Sequence, residues 1–272
     1  MAPQERVLRA VYLGACTLIF VFLLAPILVI VPLSFNAEPY FTFTEGMLRL
    51  DPDAWSLRWY REIAAGGAWT GPLANSLLIG VAATALATTL GTLAALGLTN
   101  PAMPMRRFVT ALLISPMVTP VIISATGMFF FYSDLRLTQT HLGIILAHAA
   151  LGTPFVVITV TATLSAFDPT LLRAAASLGA SPLFAFRRVQ LPLIAPGVLS
   201  GALFAFAASF DEVVVVLFMA GGSQRTIPRQ MWSGIREQIS PAILAVATFL
   251  ILFAVLLLAT VEYLRRRNAA AS

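Results

Sequence analysis

Residues 167–192 read FDPTLLRAAASLGASPLFAFRRVQLP, and they lie between two long apolar runs that carry no charge until Asp211. Asp168 and Thr170 can cap a helix start at Pro169, a residue accepted in a first turn. Residues 171–178 then predict a short helix, which Gly179 ends in the left-handed conformation that residues with a Cβ resist. A second helix is expected after Ser181 and Pro182 and through Arg188, with Pro192 and Pro196 closing the segment. Leu183, Phe184 and Phe186 find no apolar home inside so short a loop. Two small helices with bare apolar side chains make a knob that invites a soluble partner.

Outward from this knob the chain is a membrane protein. Of its 272 residues 59% are apolar and 11% charged, with mean hydropathy +0.89, whereas about a quarter of a soluble domain is charged. Apolar runs free of arginine occupy residues 11–33, 73–98, 108–132, 142–164, 197–219 and 241–263. Each is long enough to span a bilayer, so the reading is an all-α protein of six transmembrane helices forming one domain over residues 1–272. All 17 basic residues are arginine. Ten of them (Arg6, Arg9, Arg106, Arg107, Arg173, Arg187, Arg188 and Arg265–Arg267) fall on the side of the termini, against seven opposite. Both termini and the 165–196 loop are therefore expected in the cytoplasm. Pro26 and Pro32 interrupt the first run, which lacks a small-residue cleavage site and reads as a retained anchor. In the first outer loop, Trp55, Trp59 and Tyr60 among Arg58, Arg61 and Glu62 predict a short amphipathic helix at the headgroup level. Ala83, Ala87, Gly91 and Ala95 recur every four residues, as do Gly197 and Gly201, and such smooth faces let another helix backbone approach.

Enzyme chemistry finds little footing. Without lysine there is no P-loop and no Schiff base, and the single Cys16 excludes an intrachain disulfide. His141 and His148 have no Cys or carboxylate at metal-ligand spacing, so no metal and no cofactor is expected on this chain. Asp51 and Asp53 flank a proline in a solvated loop. No hydrolase, zinc or dinucleotide motif occurs, and the arginines sit beside apolar runs rather than in a basic stripe, which argues against nucleic acid. Asp211 and Glu212 are the exception, placed by the pattern inside the fifth run. A carboxylate at membrane depth costs several kcal/mol unless it faces water or a partner. The pair is a candidate for a cation-accepting translocation pathway, or for a polar contact that holds the bundle together. An ion-gradient transporter using either acid is the alternative function.

The segment Arg173-Ala174-Ala175-Ala176-Ser177-Leu178-Gly179-Ala180, followed by Leu191-Pro192, resembles the cytoplasmic signature of the inner-membrane permeases of binding-protein-dependent ABC importers. That signature is Glu-Ala-Ala, a Gly three residues beyond and a Leu-Pro further on; Arg173 stands where the family has Glu. Residues 209–215 (SFDEVVV) and 225–241 (RTIPRQMWSGIREQISP) look like the second permease of the spermidine/putrescine type. The resemblance implies a bacterial inner-membrane subunit that couples to an ATPase dimer through Arg173, Ala174, Ala175, Gly179, Ala180, Ser181, Pro182, Phe184, Arg187 and Pro192. It also implies a second, different permease, a periplasmic substrate-binding protein, and ATP with Mg held on the ATPase.

Overall fold

The computed structural model describes residues 3–237 and 240–270. In chain order the α-helices are α1 (Pro3–Leu33), α2 (Glu45–Leu48), α3 (Arg58–Ala64), α4 (Thr70–Thr99), α5 (Arg106–Val118), α6 (Val121–Asp134), α7 (His141–Ser165), α8 (Thr170–Ser177), α9 (Pro182–Ala185), α10 (Leu191–Phe210), α11 (Val214–Met219), α12 (Ile227–Glu237) and α13 (Ala242–Ala270). Among the described residues the one extended pairing is an isolated bridge between Asn36 and Trp55. The side chains of Arg6, Tyr263 and Arg265–Arg267 lie outside those described.

Two compact units form, residues 1–70 with 233–272, and residues 71–232. In the first, α13 packs against α1 and α3. Its loop is knotted around Asn36, which is wholly buried. The Asn36 amide donates to Tyr40 O and Thr42 O, and its carbonyl accepts from Glu38 N. Trp59 corrects the expectation of a headgroup anchor: its ring is 4% exposed, and its Nε1 donates to Asn36 O at 2.7 Å. The indole satisfies a buried carbonyl instead of lying in lipid headgroups, while Arg58 covers its face at 4.4 Å.

The second unit is built on close helix packing. α7 and α10 run antiparallel with Thr163 against Gly197, Thr159 against Gly201, Gly152 against Ala205, and His148 bonded to Ser209. A Cβ at Gly201 would lie 2.8 Å from Val156 Cα, closer than side chains tolerate. α4 lies along α7 with Ala87 beside Gly152 and Gly91 beside Val156, so these two helices are parallel. Ala83, Ala87 and Ala95 join Val156, Val160, Ile194 and Ala205 in the core. The four-residue steps of small side chains expected from sequence thus mark the faces where backbones approach.

Two expected spans are broken. The run 108–132 folds as α5 and α6, bent by 104°. Thr119 is held extended before Pro120, and Pro120 has no N–H with which to continue the helix. The run 197–219 stops at Phe210 and restarts at Val214, which corrects the placing of Asp211 and Glu212 inside one helix. In the other direction, Pro192 and Pro196 do not end the cytoplasmic structure. Leu191 N–H reaches back five residues to Phe186 O in a π turn over residues 186–190, and the widened turn relieves the Pro192 ring of the carbonyl it would otherwise strike. Pro182–Phe210 is consequently one apolar stretch of 29 residues. Among the described residues four helices are long and apolar enough to cross a membrane, and the bent pair makes a fifth if it is one span; Ala242–Leu256 of α13 is a shorter apolar helix.

Candidate coupling knob and the carboxylate break

α8 begins where expected but is capped by Asp168 alone. Asp168 Oδ1 accepts from Thr170 N at 2.9 Å and Oδ2 from the Thr170 hydroxyl at 2.6 Å. These two bonds, the hydroxyl first, hold the Asp168 carboxyl below the usual range, and Arg173 adds to the effect. At the other end Gly179 has φ +82°. Gly179 N bonds Ala176 O and Ala180 N bonds Ala175 O, the paired closure that needs a left-handed residue after the last turn. A Cβ at Gly179 would meet nothing within 4 Å, so the demand there is purely for backbone conformation. Ser181 caps the next turn through Phe184 N, with Pro182 in its first position.

The knob so formed exposes Leu178 (89%), Leu183 (59%) and Phe184 (56%). Arg173, Ala174, Ser181, Pro182 and Arg187 are exposed beside them, while Ala175, Ala180 and Phe186 are half-buried. Pro192 lies beyond the π turn, inside the helix leading to the core. Leu178 extends the apolar face beyond the residues singled out in the sequence; it is a large apolar residue in the same short loop, which offers it no core to enter.

At the far end of the same helix the chain opens at Asp211–Val213. Asp211 ends α10, its N–H on Ala207 O, and its side chain is exposed. Glu212 is half-buried and its Oε1 accepts from Val215 N at 2.9 Å, capping α11. One turn earlier, Ser209 Oγ meets His148 Nδ1 at 2.8 Å. His148 is 1% exposed, and its Nε2 has no hydrogen-bond partner among the described residues.

A set of polar contacts that the sequence reading does not connect fixes the segment after the break. Asn75 Nδ2 donates to Ser223 O and Arg225 O at 2.8 and 2.9 Å. That leaves Asn75 Oδ1 to face His141 Nε2 at 2.9 Å, so the histidine carries its proton on Nε2. Ser76 Oγ accepts from Ile227 N, and Gln139 N donates to Met219 O. Arg229 Nη1 donates to Ala220 O at 2.7 Å. Partial burial, then the charge of Arg225, lowers the pKa of the Arg229 guanidinium from its ordinary value. The segment 219–229 is therefore clasped to the starts of α4 and α7.

Residues 87–269, which include both the knob and the carboxylate break, match the family of binding-protein-dependent transport system inner membrane components. The chain belongs to that family. It is thus an inner-membrane permease and a transport subunit rather than an enzyme. The spermidine/putrescine transport system permease protein PotC of Haemophilus influenzae is 29% identical to this permease over 250 residues, covering 92% of this chain and 94% of the relative. The putrescine transport system permease protein PotI of Escherichia coli K12 is 32% identical over 243 residues, 85% of this chain and 82% of the relative. A crystal structure of a bacterial ABC transporter involved in the import of the acidic polysaccharide alginate contains a chain that matches at TM-score 0.75 with 15% identity, covering 97% of this permease and 98% of that chain. That likeness is one of fold. In this permease the knob residues from Arg173 to Arg187 come together at one end of the Pro182–Phe210 helix, and Asp211 and Glu212 stand at the other.

Proposed function

We propose that this permease is one of two unlike transmembrane subunits of an ATP-driven importer of small polyamines, putrescine or spermidine. The observation that carries the reading is similarity over most of the chain to permeases named for those substrates. The exposed Asp211 at the break is chemically suited to such a cargo, because a carboxylate can replace part of the water an ammonium group loses. The whole chain acts as one permease domain of six spans, with α5 and α6 together forming the third and α13 the sixth, and with both termini in the cytoplasm. Parallel packing of α4 and α7 supports this count, since the bent pair must return the chain from the end of α4 to the start of α7.

The knob docks its Leu178, Leu183 and Phe184 face on an ATPase dimer, which binds ATP and Mg; this chain, without a lysine, supplies no P-loop. Closure of the dimer on ATP pushes the knob, and the unbroken helix from Pro182 transmits the movement to the break at Asp211. The bundle then turns from inward-facing to outward-facing, driven by the difference between the partner's contacts in the two states. A periplasmic binding protein delivers the polyamine. The test is uptake by the complex reconstituted in liposomes. ATP inside, with binding protein outside, should drive entry of labelled putrescine or spermidine that an ionophore leaves unchanged. Uptake that follows an ion gradient without ATP would overturn the mechanism, and exclusion of both amines in favour of another solute would overturn the substrate.

A further inference from the structure

A second site lies near the other cluster of arginines. A cavity of about 550 Å³ is lined by Leu98 of α4, Arg106, Arg107, Thr110 and Ala111 of α5, and Thr161 of α7. No carboxylate is among these residues, and neither arginine is ion-paired among the described residues. The arginines occupy the first turn of α5, the end at which a helix dipole favours negative charge. That turn holds no acidic residue, and Met105 before it makes no side-chain cap. Two cations at the positive end of a helix are an unfavourable arrangement on their own, and an anion between them resolves it. Thr161 lines the cavity too, although its hydroxyl is buried away from the open space and has no hydrogen-bond partner among the described residues.

The rest of the surroundings say what kind of anion. Leu98 and Ala111 give the cavity apolar walls. Phe108 and Leu112, one turn apart on α5, are each 60% exposed and lead away from the arginines along the apolar run. Because the arginines immediately precede that run, they stand at the membrane–water boundary, where phosphate headgroups lie. We infer that this cavity binds an anionic phospholipid, its phosphate held by Arg106 and Arg107 and its chains laid along Phe108 and Leu112. The shared chemistry is a phosphate oxyanion, and the apolar walls and track select the lipid over the free ion.

Native mass spectrometry of the full chain in detergent micelles tests this with phosphatidylglycerol, phosphatidylcholine and inorganic phosphate as separate probes. Wild type should retain phosphatidylglycerol at least five-fold more than phosphatidylcholine. Arg106→Gln with Arg107→Gln should abolish that preference, and Arg106→Lys with Arg107→Lys should keep most of it. Ala111→Trp, which fills the cavity and leaves both charges, should also weaken phosphatidylglycerol binding about five-fold, and it serves if the double glutamine variant does not fold. Equal retention of the two lipids by wild type, or a preference that survives the glutamine pair, overturns the site. So does full binding in the Ala111→Trp protein, which would make the arginines a general surface charge. Binding of inorganic phosphate that displaces the lipid at equal concentration would make it a free-phosphate site and overturn the assignment to a lipid.

Discussion

Asp211 and Glu212 are adjacent, yet the structure gives them different work, and substitution should separate them. Glu212 caps α11, so Glu212→Ala should cost about 1 kcal/mol of stability, as lost helix caps do. Asp211 is exposed, and its side chain makes no hydrogen bond or salt bridge among the described residues. Asp211→Asn should therefore lower polyamine uptake per assembled complex several-fold while leaving the melting temperature unchanged. Measuring both quantities on the same preparations checks this, and equal effects on the two residues would remove the distinction. Gly179 is tested by a pair of substitutions. Gly179→Val must hold positive φ at a cost of about 1–2 kcal/mol, misaiming the turn into Ser181 and uncoupling uptake from ATP hydrolysis. Gly179→Asn tolerates the left-handed region and should retain most of the coupling. Asp168 adds a pH test. Its carboxyl lies below the ordinary value, so its capping contribution is complete above the unfolded value near 4 and is lost as pH falls through the lower folded one. Binding of the ATPase should accordingly be flat from pH 5 to 8.

At the scale of the elements, the contacts of α4, α7 and α10 turn on glycines whose missing side chains are already filled by neighbours. Gly91→Leu and Gly201→Leu should each destabilise the bundle by about 1–3 kcal/mol, the usual cost of overpacking. Gly127→Leu in α6 meets nothing within 4 Å and should be neutral; thermal melting in detergent reads all three. These faces were legible because small residues recur at helical spacing. So was the helix–glycine–helix knob, since positive φ is demanded of a single residue. The breaks were not legible from hydropathy, because apolar content runs through 108–132 and 197–219 without a pause and carries no information on backbone bonding. The signals were there in other chemistry. Thr119-Pro120 is a helix-stopping dipeptide, and Glu212 lies three residues ahead of the Val215 N–H it caps. The same limit hid the Asn75 clasp, whose partners are almost 150 residues away and are backbone carbonyls that no side-chain pattern announces.

For the whole molecule, the bend at Thr119–Pro120 decides which side of the membrane everything after it occupies. If α5 and α6 together cross, the loops at Asp53 and Ser223 share the outer side and the knob at Ser181 is inside. If the pair enters and leaves by one face, Asp53 and Ser223 fall on opposite sides and the knob faces away from any cytoplasmic ATPase. The parallel run of α4 and α7 favours crossing, because residue 99 lies at one end of that pair of helices and residue 141 at the other. Cysteines in a Cys16→Ala background test it, and the positions must be exposed. Ser34 is unsuitable, being 0% exposed with its hydroxyl on Val31 O and Tyr60. Asp53, Ser181 and Ser223 are all exposed. A membrane-impermeant thiol reagent added to intact spheroplasts should label Asp53→Cys and Ser223→Cys, and Ser181→Cys only after lysis. Labelling of Asp53→Cys and Ser181→Cys together from outside would mean that the bent pair does not cross. The knob would then lie on the wrong side of the membrane for ATP, and the coupling mechanism would fail however well its helices are formed.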